Sequence, residues 1–252
     1  MKTPPSKTPR FEIRDLTVNL PSGTAAVEHF SLAMFPGEVH VLLGPNGSGK
    51  STLAQAILGH PSYPISSGQL LLDGEPIQNL PTHERARRGI FLSFQHPIAV
   101  PGVSVATVLR RSSKAWGRPE VSSADFRAQL KQTLERVGLE EAFMKRGLHD
   151  GFSGGERKKT ELAQALLLQP RVMILDEIDS GLDVDAVRRI AREIQSMVTS
   201  FQPSILLITH NTRILHELVP KGVHVLHGGH LVTSGGLELA HQIEEHGYAV
   251  AS

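Results

Sequence analysis

Apolar and polar positions alternate imperfectly over Phe11–Asn19, which predicts a strand, and a second strand follows over Val27–Phe35. Pro36-Gly37-Glu38 reads as a turn. Val39–Leu43 is apolar except at His40, the pattern of a strand buried on both faces. A glycine-rich loop then leads into a helical stretch over Ser51–Leu58. Gly68–Asp73 reads as a strand closed by the hairpin signal Asp73-Gly74, Thr82–Arg88 as a short helix ended by Gly89, and Ile90–Phe94 as a mostly apolar strand.

The pattern changes at Pro97, Pro101 and Gly102. Residues 103–145 read as helices over Val105–Arg111, Ala124–Val137 and Glu140–Lys145, around a polar loop Ser112–Ser123, with no strand signal. After Gly151 strands and helices alternate again. Helices are predicted over Ser153–Leu168, Val184–Thr199, Thr212–Leu218 and Leu237–His246, with strands over Val172–Leu175, Ser204–Thr209, Val223–Leu226 and His230–Thr233. This order predicts an α/β layered fold with a largely parallel central sheet, and the hairpins near both ends predict an attached antiparallel β-layer. The division read from it is a flexible tail over 1–10, a nucleotide-binding α/β core over 11–95 and 146–252, and an inserted helical subdomain over 96–145. No internal repeat is present.

Composition narrows the classes. The 252 residues carry a formal charge of +1, which argues against a general nucleic-acid binder. There is no cysteine, so this chain offers no disulfide, no thiol nucleophile and no thiolate ligand for zinc or an iron–sulfur cluster. No apolar run approaches the roughly 18–20 residues that span a bilayer, and Met1–Arg10 lacks the apolar stretch of a secretory signal. A cytoplasmic protein is the expectation. Work at a membrane would need another chain to place it there.

Gly44-Pro45-Asn46-Gly47-Ser48-Gly49-Lys50-Ser51 fits G-x-x-x-x-G-K-[ST] without a mismatch, between a buried strand and a helix. Glycines let backbone N–H groups close around phosphate oxygens, and the helix aims its positive end at them. Lys50 is expected on the β- and γ-phosphates and the Ser51 hydroxyl on Mg²⁺, with Thr52 completing the ATP-binding run. Val172–Leu175 ends in Asp176 and Glu177. An acid at the carboxyl end of a buried parallel strand faces the nucleotide crevice. Asp176 is expected to hold Mg²⁺ and Glu177 to polarise the attacking water. Gln95, after its own strand, is expected to touch Mg²⁺ or that water, and His210 to donate to a γ-phosphate.

Phe152-Ser153-Gly154-Gly155-Glu156 opens a helix with two glycines, a second phosphate-binding signature. One chain cannot wrap both cradles around a single γ-phosphate, but a head-to-tail dimer can. Ser153, Gly154, Gly155 and Glu156 are therefore expected to act in trans. His224, His227 and His230 lie three apart on strands, a spacing that points alternate side chains to opposite faces and argues against a metal site. Trp116 reads either as an anchor for a partner or, the preferred reading, as a partly buried loop residue.

With these motifs in this order, the sequence resembles the ATP-binding-cassette (ABC) ATPases over nearly the whole chain after Arg10. Walker A is Gly44–Ser51, the Q-loop Gln95, the signature Phe152–Glu156, Walker B Val172–Glu177, the D-loop Ser180-Gly181-Leu182-Asp183 and the switch histidine His210. The resemblance implies a RecA-like core, ATP and Mg²⁺ as cofactors, catalytic roles for Glu177, His210, Lys50 and Gln95, and a transient ATP-dependent homodimer. The glutamate-ended signature followed by Arg157-Lys158-Lys159, the segment Ile178-Asp179-Ser180-Gly181-Leu182-Asp183 and the ending Ile243-Glu244-Glu245-His246-Gly247-Tyr248 resemble the SufC family. That family implies a cytosolic ATPase of iron–sulfur cluster assembly with a SufB and/or SufD-type scaffold as partner. The alternative is the ATP-binding subunit of an ABC importer, and a repair-type cassette is a third reading. Two further expectations are drawn. Lys158 pairs with Glu177 in the nucleotide-free state and holds the base out of position. No aromatic in Thr17-Val18-Asn19-Leu20 stacks on adenine, so Val18 or Leu20 offers only apolar contact.

Overall fold

The computed structural model describes residues 8–210 and 212–248. The tail read over 1–10 lies, up to residue 7, outside the described residues. The chain enters β1 (Phe11–Asn19), turns into β2 (Ala25–Met34), and later adds β4 (Ile65–Leu72) and β5 (Glu75–Pro76), giving an antiparallel sheet of order β2-β1-β4-β5. Between them, β3 (Val39–Leu43) starts the second sheet. With β6 (Ile90–Ser93), β9 (Val172–Asp176), β10 (Ser204–Ile208), β11 (Gly222–His227) and β12 (His230–Gly235), it forms six strands in the order β12-β11-β3-β10-β9-β6. All are parallel except β12, which returns antiparallel to β11.

The apolar strands divide their side chains between two cores. Val39, Val41 and Leu43 join one core and Leu42 the other. The same split separates Met173 and Leu175 from Val172 and Ile174, and Ile205 and Leu207 from Leu206 and Ile208. One core continues into the antiparallel sheet and α1 (Lys50–Leu58). The other takes in α3 (Val105–Ala115), α4 (Ser123–Val137), α5 (Gly154–Leu168), α6 (Val184–Ser200) and α7 (Leu237–His246). The short α2 (Thr82–Arg87) is fixed by buried Arg85, whose guanidinium donates to the Ala56 and Ile57 carbonyls at 2.8 Å and so caps α1.

The pairings Ile208↔Asp176 and Ser93↔Leu175 bring the carboxyl ends of β6, β9 and β10 into line. Gly44, Gln95, Glu177 and His210 leave the sheet along this one edge, the place where such sheets bind ligands.

The fold is the expected α/β architecture, with differences in detail. Residues 96–150 contain an unexpected antiparallel pair, β7 (Val100–Ser104) with β8 (Gly147–Leu148). Val100–Val103 is exposed throughout, so no alternation marks it, and its partner lies on the far side of the helices in sequence. α3 runs on to Ala115, with partly buried Trp116 as its C-cap. Glu141–Lys145 and Thr212–His216 are 3₁₀ turns rather than α-helices.

Candidate nucleotide site

The loop after β3 is built from contacts that only its sequence allows. At Gly44 (φ +155°) a Cβ would lie 2.1 Å from the Leu226 carbonyl oxygen, and at Gly49 (φ +103°) 2.6 Å from that of Ala26. Glycine lets the loop close against β11 and β2. Gly49 caps α1 without a side-chain bond, so the first N–H groups of α1 face the loop. Lys50 is 6% exposed and folds over the loop, donating from Nζ to the carbonyls of Gly44 and Pro45 at 2.8 Å each. Burial lowers its pKa, against the opposing pull of the Glu177 and Asp176 charges. The N–H of Gly44 donates to the Tyr248 hydroxyl at 3.2 Å, so the end of the described chain is tied to the start of the loop.

Asn46, Gly47, Gly49, Lys50, Ser51 and Thr52 line an open cleft of about 560 Å³ with Gln95, Glu177, Leu20 and Gly229. Ser48 is buried beneath the loop. Leu20 thus faces the cleft, while Val18 is fully buried and unavailable to a base. A second cavity of about 470 Å³ shares Ser51 and Gln95 and is bounded by Asp176, Phe94, His96, Ile98 and His149. A roomier cavity, about 620 Å³, lies between α3 and α4 and touches none of these residues.

Asp176 ends β9 at 3% exposure. Burial raises its pKa, and a hydrogen bond from Ser51 opposes that rise. Its Oδ1 is buried with no hydrogen-bond partner among the described residues. Glu177 takes a left-handed backbone, φ +52°, and its N–H donates to the Ile208 carbonyl at 2.8 Å. The strained turn sends its carboxylate and its carbonyl in different directions. Oε2 accepts from Gln95 Nε2 at 2.8 Å, and Oε1 lies 3.2 Å from His210 Nδ1.

Lys158 corrects one expectation. Its ammonium donates to the main-chain carbonyl of Glu177, and the carboxylate is instead held by Gln95 and His210. Burial lowers the Lys158 pKa, while the charges of Asp179, Glu177, Glu161 and Asp176 raise it.

The signature occupies a different surface. Ser153 caps α5: its side chain accepts from the Glu156 N–H at 3.3 Å, and the Glu156 carboxylate accepts from the Ser153 N–H at 2.8 Å, a complete capping box. Ser153 and Gly154 are exposed, and no residue of 153–156 is among the described residues lining the phosphate cleft. Phe152 anchors them, edge-on to Phe143 at 4.9 Å with Arg146 over both rings. Asp183 caps α6 through Ala186 N at 2.7 Å.

Among the histidines singled out, His224 turns inward and stacks on His40, and His227 and His230 lie exposed across the hairpin. Sequence reasoning passed over Tyr248 as a contact of the loop and overlooked Glu161. An acid at helical spacing from the apolar Ala165 and Leu168 of α5 was the available signal for Glu161.

Fold and site together define an ATP-hydrolysing cassette of the phosphate-loop class. A family profile described as ABC transporter matches residues 27–180. The chain is 42% identical over 242 residues to a probable ATP-dependent transporter, ycf16, of Pyropia yezoensis, covering 94% of this chain and 96% of that one. It is equally identical to the probable ATP-dependent transporter slr0075 of Synechocystis, with 94% of each chain covered. A dimeric bacterial ABC transporter cassette, MJ0796, superposes with a TM-score of 0.79 at 20% identity, over 90% of this chain and 98% of that one. The chain belongs to the ABC transporter family, as one of its ATP-binding cassettes.

Proposed function

We propose that this cassette is the ATPase subunit of a Suf-type iron–sulfur cluster assembly machinery, acting on a SufB and/or SufD-type scaffold from the cytoplasm. The observation that carries this reading is the glutamate-ended signature followed by Lys158, a buried lysine seated on Glu177. Transporter cassettes commonly end that signature in glutamine. The absence of cysteine supports a division of labour in which the partner carries the cluster chemistry.

In the proposed cycle, ATP enters the 560 Å³ cleft and the loop N–H groups take its phosphates. Lys50 exchanges the loop carbonyls for the β- and γ-phosphates. The unpartnered Asp176 Oδ1, the Ser51 hydroxyl and the Gln95 amide oxygen form a hard-oxygen set that fits Mg²⁺. An ion held there would neutralise phosphate charge. Ser153 and Gly155 of a second copy close over the γ-phosphate, completing a transient homodimer, and Asp183 lies beside that contact. Glu177 takes the proton of the attacking water, and His210 holds the γ-phosphate side. Closure displaces the bound scaffold, and hydrolysis resets it.

The second reading, the ATP-binding subunit of an importer, is favoured by the transporter names of the relatives. No helix among the described residues is long and apolar enough to cross a membrane. Affinity purification of the full chain from its own cells separates the two. Co-elution of a SufB- or SufD-type protein is the expected result, and co-elution of a polytopic permease overturns it.

A further inference from the structure

α5 carries two buried charged side chains one turn apart, Lys158 at 7% exposure and Glu161 at 3%. Residues at this spacing share a helix face. Lys158 reaches the Glu177 carbonyl. Glu161 reaches the neighbouring strand, and both its oxygens are engaged. Oε2 accepts from the Ser93 hydroxyl at 2.6 Å and Oε1 from the Phe94 N–H at 3.1 Å. Ser93 is the last residue of β6 and Phe94 the first beyond it. The next residue is Gln95, whose amide holds the Glu177 carboxylate at 2.8 Å.

An apolar residue would pack at this depth without the desolvation that a carboxyl suffers. Burial drives the Glu161 pKa up to about 7, although the Ser93 and Phe94 hydrogen bonds pull the other way. What the carboxyl adds over a hydrocarbon is two directed bonds to the residues that launch Gln95 from the sheet. The helix providing them starts at the signature.

We propose that Glu161 is a positioning residue for hydrolysis: it fastens the start of the Q-loop to the signature helix, so that a displacement of α5 reaches Gln95 and, through it, the Glu177 carboxylate. This rests on the ATPase reading above. In the proposed dimer the N-terminus of α5 touches the nucleotide of the opposite copy. Each protomer's base therefore responds to the nucleotide its own signature meets, as well as to the one its own loop holds. Lys158 and Glu161 give α5 two grips on Glu177, one on the backbone and one through the Gln95 side chain.

The test compares Glu161→Ala, Glu161→Gln and Ser93→Ala in the full chain, each alone and Glu161→Ala also with Gln95→Ala. Glu161→Gln keeps the side chain's shape and one acceptor, and Ser93→Ala leaves α5 untouched, so a misfolded alanine variant at 161 does not end the test. Misplacing a catalytic group by about 1 Å costs up to about a hundredfold. Glu161→Ala is accordingly expected to lower kcat about tenfold or more with KM for ATP within about twofold, and the other two variants to fall between. In the Gln95→Ala background, removing Glu161 is expected to add less than about a further twofold loss. Unchanged kcat in every Glu161 and Ser93 variant overturns the proposal. So does a full loss that persists without Gln95, or a rise in KM that accounts for the whole effect. An unmodified chain that does not hydrolyse ATP overturns the ATPase reading itself, a result distinct from these.

Discussion

Lys158 donates its ammonium to the main-chain carbonyl of Glu177, not to the carboxylate beyond it. The restraint on the proposed base therefore acts on its backbone, which stands at φ +52°. A side chain one turn into the signature helix holds the strained turn, while Gln95 and His210 hold the carboxylate.

Lys158→Ala is expected to change two things at once. Removing the charged donor of a buried hydrogen bond to a carbonyl costs about 1.5–3 kcal/mol, so Tm falls. The freed Glu177 turn is expected to raise basal hydrolysis per folded molecule. Unchanged basal ATPase, corrected for the folded fraction by circular dichroism, contradicts the restraint.

Tyr248→Phe removes the hydroxyl that accepts the Gly44 N–H at 3.2 Å. A hydrogen bond of this kind contributes about 1 kcal/mol, roughly a fivefold change in an equilibrium. ATP titration is expected to show KM raised severalfold with kcat little altered, because the loop is loosened and the base untouched.

Two buried groups give stability opposite pH slopes. Glu161 titrates at about 7 in the fold against an ordinary 4.5, so the fold holds its proton more tightly than the unfolded chain. Its contribution is greatest below pH 4.5 and is lost, by about 3 kcal/mol, as pH rises to 7. His224, buried against His40, titrates at about 4 against an ordinary 6.5. Its contribution is complete above pH 6.5 and is lost, by a similar amount of about 3 kcal/mol, as pH falls to 4. Between pH 4.5 and 6.5 the two offset each other. Urea melts across this range are expected to show stability more nearly flat in the unmodified chain, rising with pH in Glu161→Gln, and falling with pH in His224→Asn.

What could be read from the sequence is what contiguous residues encode. Gly44–Ser51, Asp176-Glu177 and Ser153–Glu156 each complete a local geometry at a strand end or helix start, and the first two meet because the strands that carry them are parallel. Relations that need two distant segments were hidden. β7 pairs with β8 across two helices, and Tyr248 meets Gly44 from the other end of the chain. Charge alone pairs Lys158 with Glu177. Charge could not reveal that the turn at Glu177 offers the lysine a carbonyl in place of the carboxylate.

Lys50→Ala is expected to abolish hydrolysis, since the ammonium that now binds the Gly44 and Pro45 carbonyls is the group proposed for the phosphates. Phosphate release measured at saturating ATP checks this, and a rate near that of the unmodified chain would rule out the assignment.

The most direct measurement is the mass in solution of Glu177→Gln with ATP and Mg²⁺, by sedimentation velocity, alone and with its scaffold partner. Loss of the base stops the reaction after nucleotide binding, so the account predicts a dimer that disperses when ATP is removed. A species that stays monomeric at high concentration with ATP, even beside the scaffold, would contradict the shared site.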